Sequence, residues 1–268
     1  MMESLAYEMH EGKGPPVLLV HGAMGTRLAW GLNIDAFRKV ASPVVVELWG
    51  HGRSPVPSGI SSYLVAEYVA QFEKMRRDMG VKTWLTIGVS TGGSLALQYA
   101  LIHPEAVAGV AFTNEVSALG TEAERETMMA RRNLLIPELS GPNGRAVLAD
   151  HSYNPRRPGI HDVVTDSLRV LMAEAYEASD PQACAKFWEI TIPDLVMRDR
   201  LGELNMPLLW IHGMREQRTL ALAEWAPTQT SSLEVFSVAS GHAVNIEAST
   251  LFNAAAAAFI RRHSGSHA

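Results

Sequence analysis

The sequence predicts an α/β protein: a mostly parallel, doubly wound sheet with helices on both faces, interrupted once by a run of helices. Three observations predict it. Short apolar runs bounded by turn residues recur along the chain. Helical periodicity lies between them, and strands alternating with helices call for a parallel sheet with crossover helices. From about residue 117 to 200 the alternation stops, and helical segments follow one another with no convincing strand.

The first run, Pro16-Val17-Leu18-Leu19-Val20, follows a Gly-Pro turn and ends in His21-Gly22. A run rich in branched residues between breakers reads as a strand buried on both faces. Residues 43–48, 84–89, 107–112, 207–211 and 233–238 repeat the pattern. Residues 63–79 carry Leu64, Tyr68, Phe72, Met75 and Met79 at helical spacing. Residues 94–102 form a helix closed by His103-Pro104, and residues 249–262 an Ala-rich helix ending in Arg261-Arg262, which suits a helix C-terminus. Inside the interruption, helices are expected at 121–132, 144–149, 161–178 and 181–189. Pro137, Gly141-Pro142 and Asn154-Pro155 punctuate them.

Composition narrows the classes. The 268 residues are 47% hydrophobic and 19% charged, with a net charge of −5, an ordinary globular balance that argues against a dedicated nucleic-acid binder. One cysteine, Cys184, allows no intrachain disulfide and no cysteine cluster for zinc. The start, Met1 to Glu8, lacks the basic and apolar regions of a signal peptide, and no apolar stretch approaches the ~20 residues of a membrane span. A cytoplasmic protein without membrane attachment is expected; the oligomeric state is open. The tail after Arg262 reads as frayed.

The sharpest motif is Gly88-Val89-Ser90-Thr91-Gly92, a G-x-S-x-G directly after a strand and before a helix. A tight strand-to-helix turn holds the serine up and exposed, and the flanking glycines let neighbouring backbone approach. A plain Gly/Ser turn could carry the same five residues; the strand before and the helix after favour chemistry. Gly241-His242 lies between the last strand and the last helix. His21 and His51 read as shapers of their own turns. Met128, Met129, Met172, Tyr176, Phe187 and Trp188 read first as packing of the inserted helices, with one or two lining an apolar pocket. Arg156-Arg157 reads as an exposed pair before a carboxylate ligand. His263 and His267 sit in the tail and make a poor metal pair.

The sequence resembles the α/β-hydrolase fold family over essentially its whole length. Leu19-Val20-His21-Gly22 resembles the family's strand with its HG turn. Glu47-Leu48-Trp49-Gly50-His51-Gly52-Arg53-Ser54 resembles its D-x-x-G-x-G-x-S turn, with Glu in place of Asp. Ser90 sits where the nucleophile elbow does, and His242 where the catalytic histidine does. The resemblance implies an eight-stranded sheet, with 1–117 and 201–268 as the core and 118–200 as a helical cap. It implies Ser90 as nucleophile, His242 as general base, and the N–H groups of Ala23 and Thr91 as an oxyanion hole. A serine at the elbow argues against the family's dehalogenases and epoxide hydrolases, which use aspartate there. No metal or organic cofactor is implied, and the partner is a small-molecule substrate.

The acid is the open position. The family places Asp or Glu on the loop after the strand that follows the cap, and Gly213-Met214-Arg215-Glu216 puts Glu216 there. Glu115, after the strand 107–112, is the alternative acid. Acyl transfer from a small carboxylic ester or lactone to water is the expected reaction. Carbon–carbon bond hydrolysis of a diketone-like substrate, or a ligand-binding, acyltransferase or lyase role on the same fold, carries the same motifs.

Overall fold

A computed structural model describes residues 3–151, 154–159 and 163–264. Met1 and Met2 of the N-terminal segment, His161 at the start of one expected helix, and His267 with the part of the tail beyond Ser264 lie outside them. The strands are β1 (Tyr7–Met9), β2 (Pro16–Val20), β3 (Ser42–Val46), β4 (Trp84–Gly88), β5 (Val107–Phe112), β6 (Leu208–Gly213) and β7 (Leu233–Val238). Helix α1 (Ile34–Phe37) precedes β3, α2 (Val65–Asp78) precedes β4, and α3 (Thr91–Ile102) follows β4. Between β5 and β6 run α4 (Glu122–Ser140), α5 (Gly144–Asp150), α6 (Asp166–Glu177), α7 (Pro181–Lys186) and α8 (Ile192–Asp194). Helix α9 (Leu220–Trp225) precedes β7, and α10 (Val244–Glu247) and α11 (Ser249–His263) close the fold.

The strand order is β1-β3-β2-β4-β5-β6-β7. Every pairing is parallel except that of β1 with β3. Successive side chains of a strand point to opposite faces, and here they feed two separate cores. Leu18, Val20, Val44 and Val46 pack with Tyr68, Phe72, Leu95 and Tyr99 from α2 and α3. Val17, Leu19, Val45 and Ile87 pack on the other face with Trp30, Phe37, Phe252 and Phe259. Each fully buried side chain of this kind contributes roughly 1.5–3 kcal/mol. The near-continuous apolar runs of β2 to β5 are therefore what a sheet covered on both faces requires.

The expectation of eight strands is corrected. Among the described residues the sheet has seven. The chain leading into β1 is held by side chains: Leu5 N donates to Gln71 Oε1, and Ala6 N to Ser54 Oγ. The inserted helices also differ in length. Helix α4 begins at a reciprocal capping box between Thr121 and Glu124, but runs on through Pro137 to Ser140. A proline costs the helix its N–H bond to the preceding turn, and this one sits in the last turn. Helix α7 starts on the Asp180 cap, which accepts from Ala183 N at 2.8 Å, and then loosens into a π turn over Phe187–Thr191. The two chain crossings at the base of the insertion are joined by Met197 N donating to Ala118 O at 3.0 Å and Arg198 Nη1 to Leu119 O at 2.6 Å. Among the described residues no helix is long and apolar enough to cross a membrane.

Glu73 ties α2 to α3. Its carboxylate accepts from Arg76 at 2.7 and 2.9 Å, Arg77 Nε at 2.7 Å and Tyr99 OH at 2.9 Å. The Arg76 bond is the strongest influence; burial opposes it, and Tyr99 and Arg77 add to it, holding the carboxyl down to about 2. A carboxyl depressed on folding stabilises the fold in full above its ordinary value of 4.5, and that stability is lost as pH falls toward 2. Glu73→Gln is therefore expected to lower stability at pH 7 by about 1–3 kcal/mol. Thermal unfolding against pH should show the gap to wild type closing between pH 4.5 and 2. A gap constant over that range contradicts this role.

Candidate active site

The site gathers at the carboxyl ends of the strands, where open α/β sheets bind ligands. Ser90 follows β4 with φ 52° and ψ −130°, one of two non-glycine residues with positive φ among the described residues. Strain of this kind, of order 1–3 kcal/mol, persists only where the surroundings over-determine it. They do so here. Val89 N donates to Val20 O, Ser90 N to Thr113 Oγ1, and Gly92 and Gly93 N to Val89 and Ser90 O. A Cβ on Gly92 would lie 2.3 Å from Val20 O, and one on Gly88 would lie 2.2 Å from Gly92 O, so both glycines are sterically required.

His242 lies on the loop after β7, half-buried, with Nε2 3.0 Å from Ser90 Oγ and Nδ1 2.7 Å from Glu216 Oε2. An ionised carboxylate only accepts, so Nδ1 carries the proton and Nε2 is left to accept from the serine hydroxyl. Glu216 also accepts from Asn114 Nδ2 at 2.9 Å and pairs with Arg218. Burial pushes its carboxyl up, but the His242 bond, the charges of His242 and Arg218, and the Asn114 bond outweigh burial and hold it at about 2. Of the two candidate acids, the structure brings Glu216 to His242 and directs Glu115 elsewhere. The Glu115 carboxyl is buried, and its Oε1 accepts from the N–H groups of Ser117 and Ala118.

Ala23 and Thr91 stand on either side of Ser90's turn, and the Ala23 N–H donates to Thr91 Oγ1 at 2.7 Å. Thr91 opens α3, whose first N–H groups have no acceptor within the helix. His21 and His51 shape the adjoining turns. His21 Nε2 accepts from Leu48 N, so its Nδ1–H donates to Gly22 O; burial lowers its pKa to about 4, with the Gly22 bond opposing. His51 Nε2 accepts from Met24 N; burial and then the neighbouring His21 lower its pKa to about 3. Cys184 is buried beside His51, and burial pushes its thiol up to about 12, an unreactive state.

A cavity of about 430 Å³ opens over Ser90, in the range of small-ligand sites. Met128, Met172, Tyr176 and Trp188 line it, whereas Met129 and Phe187 do not; Phe187 packs edge-on against Tyr68 and His51. Arg156 and Arg157 are outside its lining and pair with Glu177 and Asp150. Among the described residues no group of three or more His, Cys, Asp or Glu side chains is placed to hold a metal ion.

Two positioning residues were not singled out in the sequence. Asn114 grips the β6 turn through Gly213 N and O as well as Glu216. Glu247 accepts from Gly241 N at 2.8 Å and Ala243 N at 2.9 Å, bracing the backbone on both sides of His242. The Glu247 signal is a carboxylate five positions after the histidine, at the next helix. Asn114 offers no local signal.

The family described as alpha/beta hydrolase fold matches residues 15–249. The chain belongs to this family. A proline iminopeptidase of Xylella fastidiosa (strain 9a5c) is 35% identical over 97 residues, 34% of this chain and 29% of that protein. The dihydrolipoyllysine-residue acetyltransferase component of an acetoin cleaving system of Cupriavidus necator is 25% identical over 97% of this chain and 66% of that protein. The chain thus aligns with less than two thirds of the length of either curated relative. The solved enol-lactonase of Burkholderia xenovorans LB400 superimposes with a TM-score of 0.77 over 96% of each chain at 19% identity, a likeness of fold.

Proposed function

We propose that this member of the alpha/beta hydrolase fold family is a serine hydrolase that cleaves a small carboxylic ester or lactone through an acyl intermediate on Ser90. The observation that carries the reading is the continuous line from Ser90 Oγ through His242 to Glu216, with gaps of 3.0 and 2.7 Å. His242 Nε2 takes the hydroxyl proton as Oγ attacks the substrate carbonyl carbon, and the carbonyl π electrons move onto its oxygen. The N–H groups of Thr91 and Ala23 hold that oxyanion, with the Ala23 N–H turning from Thr91 Oγ1 to share it; each such donor contributes about 2.7–4 kcal/mol. As the carbonyl re-forms, the C–O bond to the leaving alcohol breaks and His242 returns the proton to that oxygen. Water repeats the sequence in place of the serine and releases the acid. Glu216 keeps Nδ1–H oriented and offsets the charge on the imidazolium.

Residues 118–200 act as a cap on a core formed by 1–117 and 201–268. The cavity's contacts with α4, α6 and Trp188 favour that division. Phenyl acetate, δ-valerolactone and a vinylogous diketone, incubated separately and analysed for products, test the reading. Release of phenol with acetate, or of the hydroxy acid, is expected. Turnover of the diketone alone would overturn it in favour of carbon–carbon hydrolysis.

A further inference from the structure

Asn245, three positions after His242, belongs to the wall of the cavity over Ser90 and is only 2% exposed. The acyl-transfer steps make no use of it. Its Nδ2 donates to Ala29 O at 2.8 Å and to Asn33 Oδ1 at 3.3 Å. A backbone carbonyl only accepts, so the Ala29 bond fixes which end of the amide is nitrogen. Both of its donors are thereby spent inside the protein. The amide oxygen has no hydrogen-bond partner among the described residues. It is not sealed in either: Glu115 Oε2 is enclosed without a partner, whereas Asn245 Oδ1 retains access. The opening beside it is the cavity.

The amide is also held from behind. Asn33, fully buried, donates through Nδ2 to Asn245 O at 2.9 Å and to Asn253 Oδ1 at 2.8 Å. Asn253 Nδ2 in turn donates to Leu32 O at 2.9 Å. Three asparagines thus tie the His242 loop and α11 to residues 29–33, and Asn245 cannot turn its oxygen over without breaking the Ala29 bond. A contact group supported by a second layer of hydrogen bonds is what fixed recognition requires. In an open cavity water can meet such an oxygen. An apolar chain that fills the cavity removes the water and leaves a buried acceptor unsatisfied, whereas a hydroxyl in the same place replaces the bond.

We propose that Asn245 Oδ1 is a specificity-determining acceptor, and that the cavity prefers esters carrying a hydroxyl group within its reach: esters of hydroxy acids, or monoesters of diols. The chemistry shared by the two is an uncharged donor on the His242 side of the cavity. A site built to bond a hydroxyl discriminates against the analogue that lacks it, because its own polar group is then left unpaired. This inference rests on the Ser90 reading for its chemistry, and its test keeps the two apart.

Ethyl 3-hydroxyhexanoate is assayed against ethyl hexanoate, and 2-hydroxyethyl hexanoate against propyl hexanoate, each rate divided by that of alkaline hydrolysis. The first pair places the hydroxyl on the acid, the second on the alcohol. Binding of the same esters to Ser90→Ala protein is titrated calorimetrically, without turnover. In one pair the hydroxy ester is expected to exceed its partner in kcat/KM by about three- to tenfold. Asn245→Leu and Asn245→Ala, which differ in bulk, should each bring that ratio toward one; disturbed packing alone would lower both members of a pair alike and leave the ratio. Where one of the two variants fails to fold, the other decides. Equal turnover within both pairs in wild type, a ratio unmoved by the substitutions, or equal binding within both pairs overturns the proposal while leaving a hydrolase. Preferential binding of a hydroxy ester to Ser90→Ala that is lost when Asn245→Ala is added, with no ester turned over by wild type, supports the acceptor and removes the hydrolytic reading.

Discussion

His242→Ala is expected to lower kcat on a small ester by ~10⁴–10⁶-fold, with KM changed only a few-fold. The size follows from the line of hydrogen bonds. Without the imidazole nothing accepts the Ser90 proton, and Glu216, on the far side of the ring, cannot reach it. What is left is the oxyanion donors and the cavity. Substrate binding persists because it draws on the cavity walls. The ring is half-buried, and its loss removes the bond that does most to hold the Glu216 carboxyl down, so the melting temperature should fall modestly while the fold stays intact. Steady-state kinetics with a parallel thermal melt checks both parts. A loss of less than tenfold, with the fold intact, would remove His242 from the mechanism.

The second large effect decides the acid. Glu216→Gln is expected to lower kcat by ~10²–10⁴-fold, since a neutral amide cannot offset the imidazolium and no longer enforces the Nδ1–H tautomer. The substitution also disturbs a full set of partners, because the carboxylate accepts from His242, Asn114 and Arg218 at once. Its folded stability at neutral pH should fall as well, since a carboxyl held at about 2 stabilises the fold above its ordinary value of 4.5. Glu115→Gln, whose carboxyl bonds the Ser117 and Ala118 backbone, should cost less than about tenfold in kcat. The reverse order of the two variants would assign the acid to Glu115.

How much of this was legible in the sequence depends on whether the cause is local. Strands β2 to β5 announce themselves because both of their faces are buried, so nearly every residue is apolar. Strand β1 does not: it is three residues long with an exposed-intermediate-exposed pattern, and it pairs with a single neighbour. Helix α4 outran its expected end because tertiary packing, which buries Leu139 fully, carries the helix past Pro137. Ser90 and His242 stood out because turn chemistry marks them. Glu216 could be placed only by its distance along a loop. Asn114 was invisible, since it meets Glu216 across 102 residues of chain. Arg156-Arg157 reads as an exposed pair from its position in a turn-rich stretch, and it lies outside the cavity lining with acidic partners.

The central claim is that Ser90 is an activated nucleophile, and intact mass after treatment with a fluorophosphonate tests it most directly. The reagent reports the serine, its base and its oxyanion donors together, without knowledge of the substrate. A single adduct on wild type, none on Ser90→Ala and strongly slowed labelling of His242→Ala are predicted. No adduct on wild type, or an adduct that persists in Ser90→Ala, would contradict it.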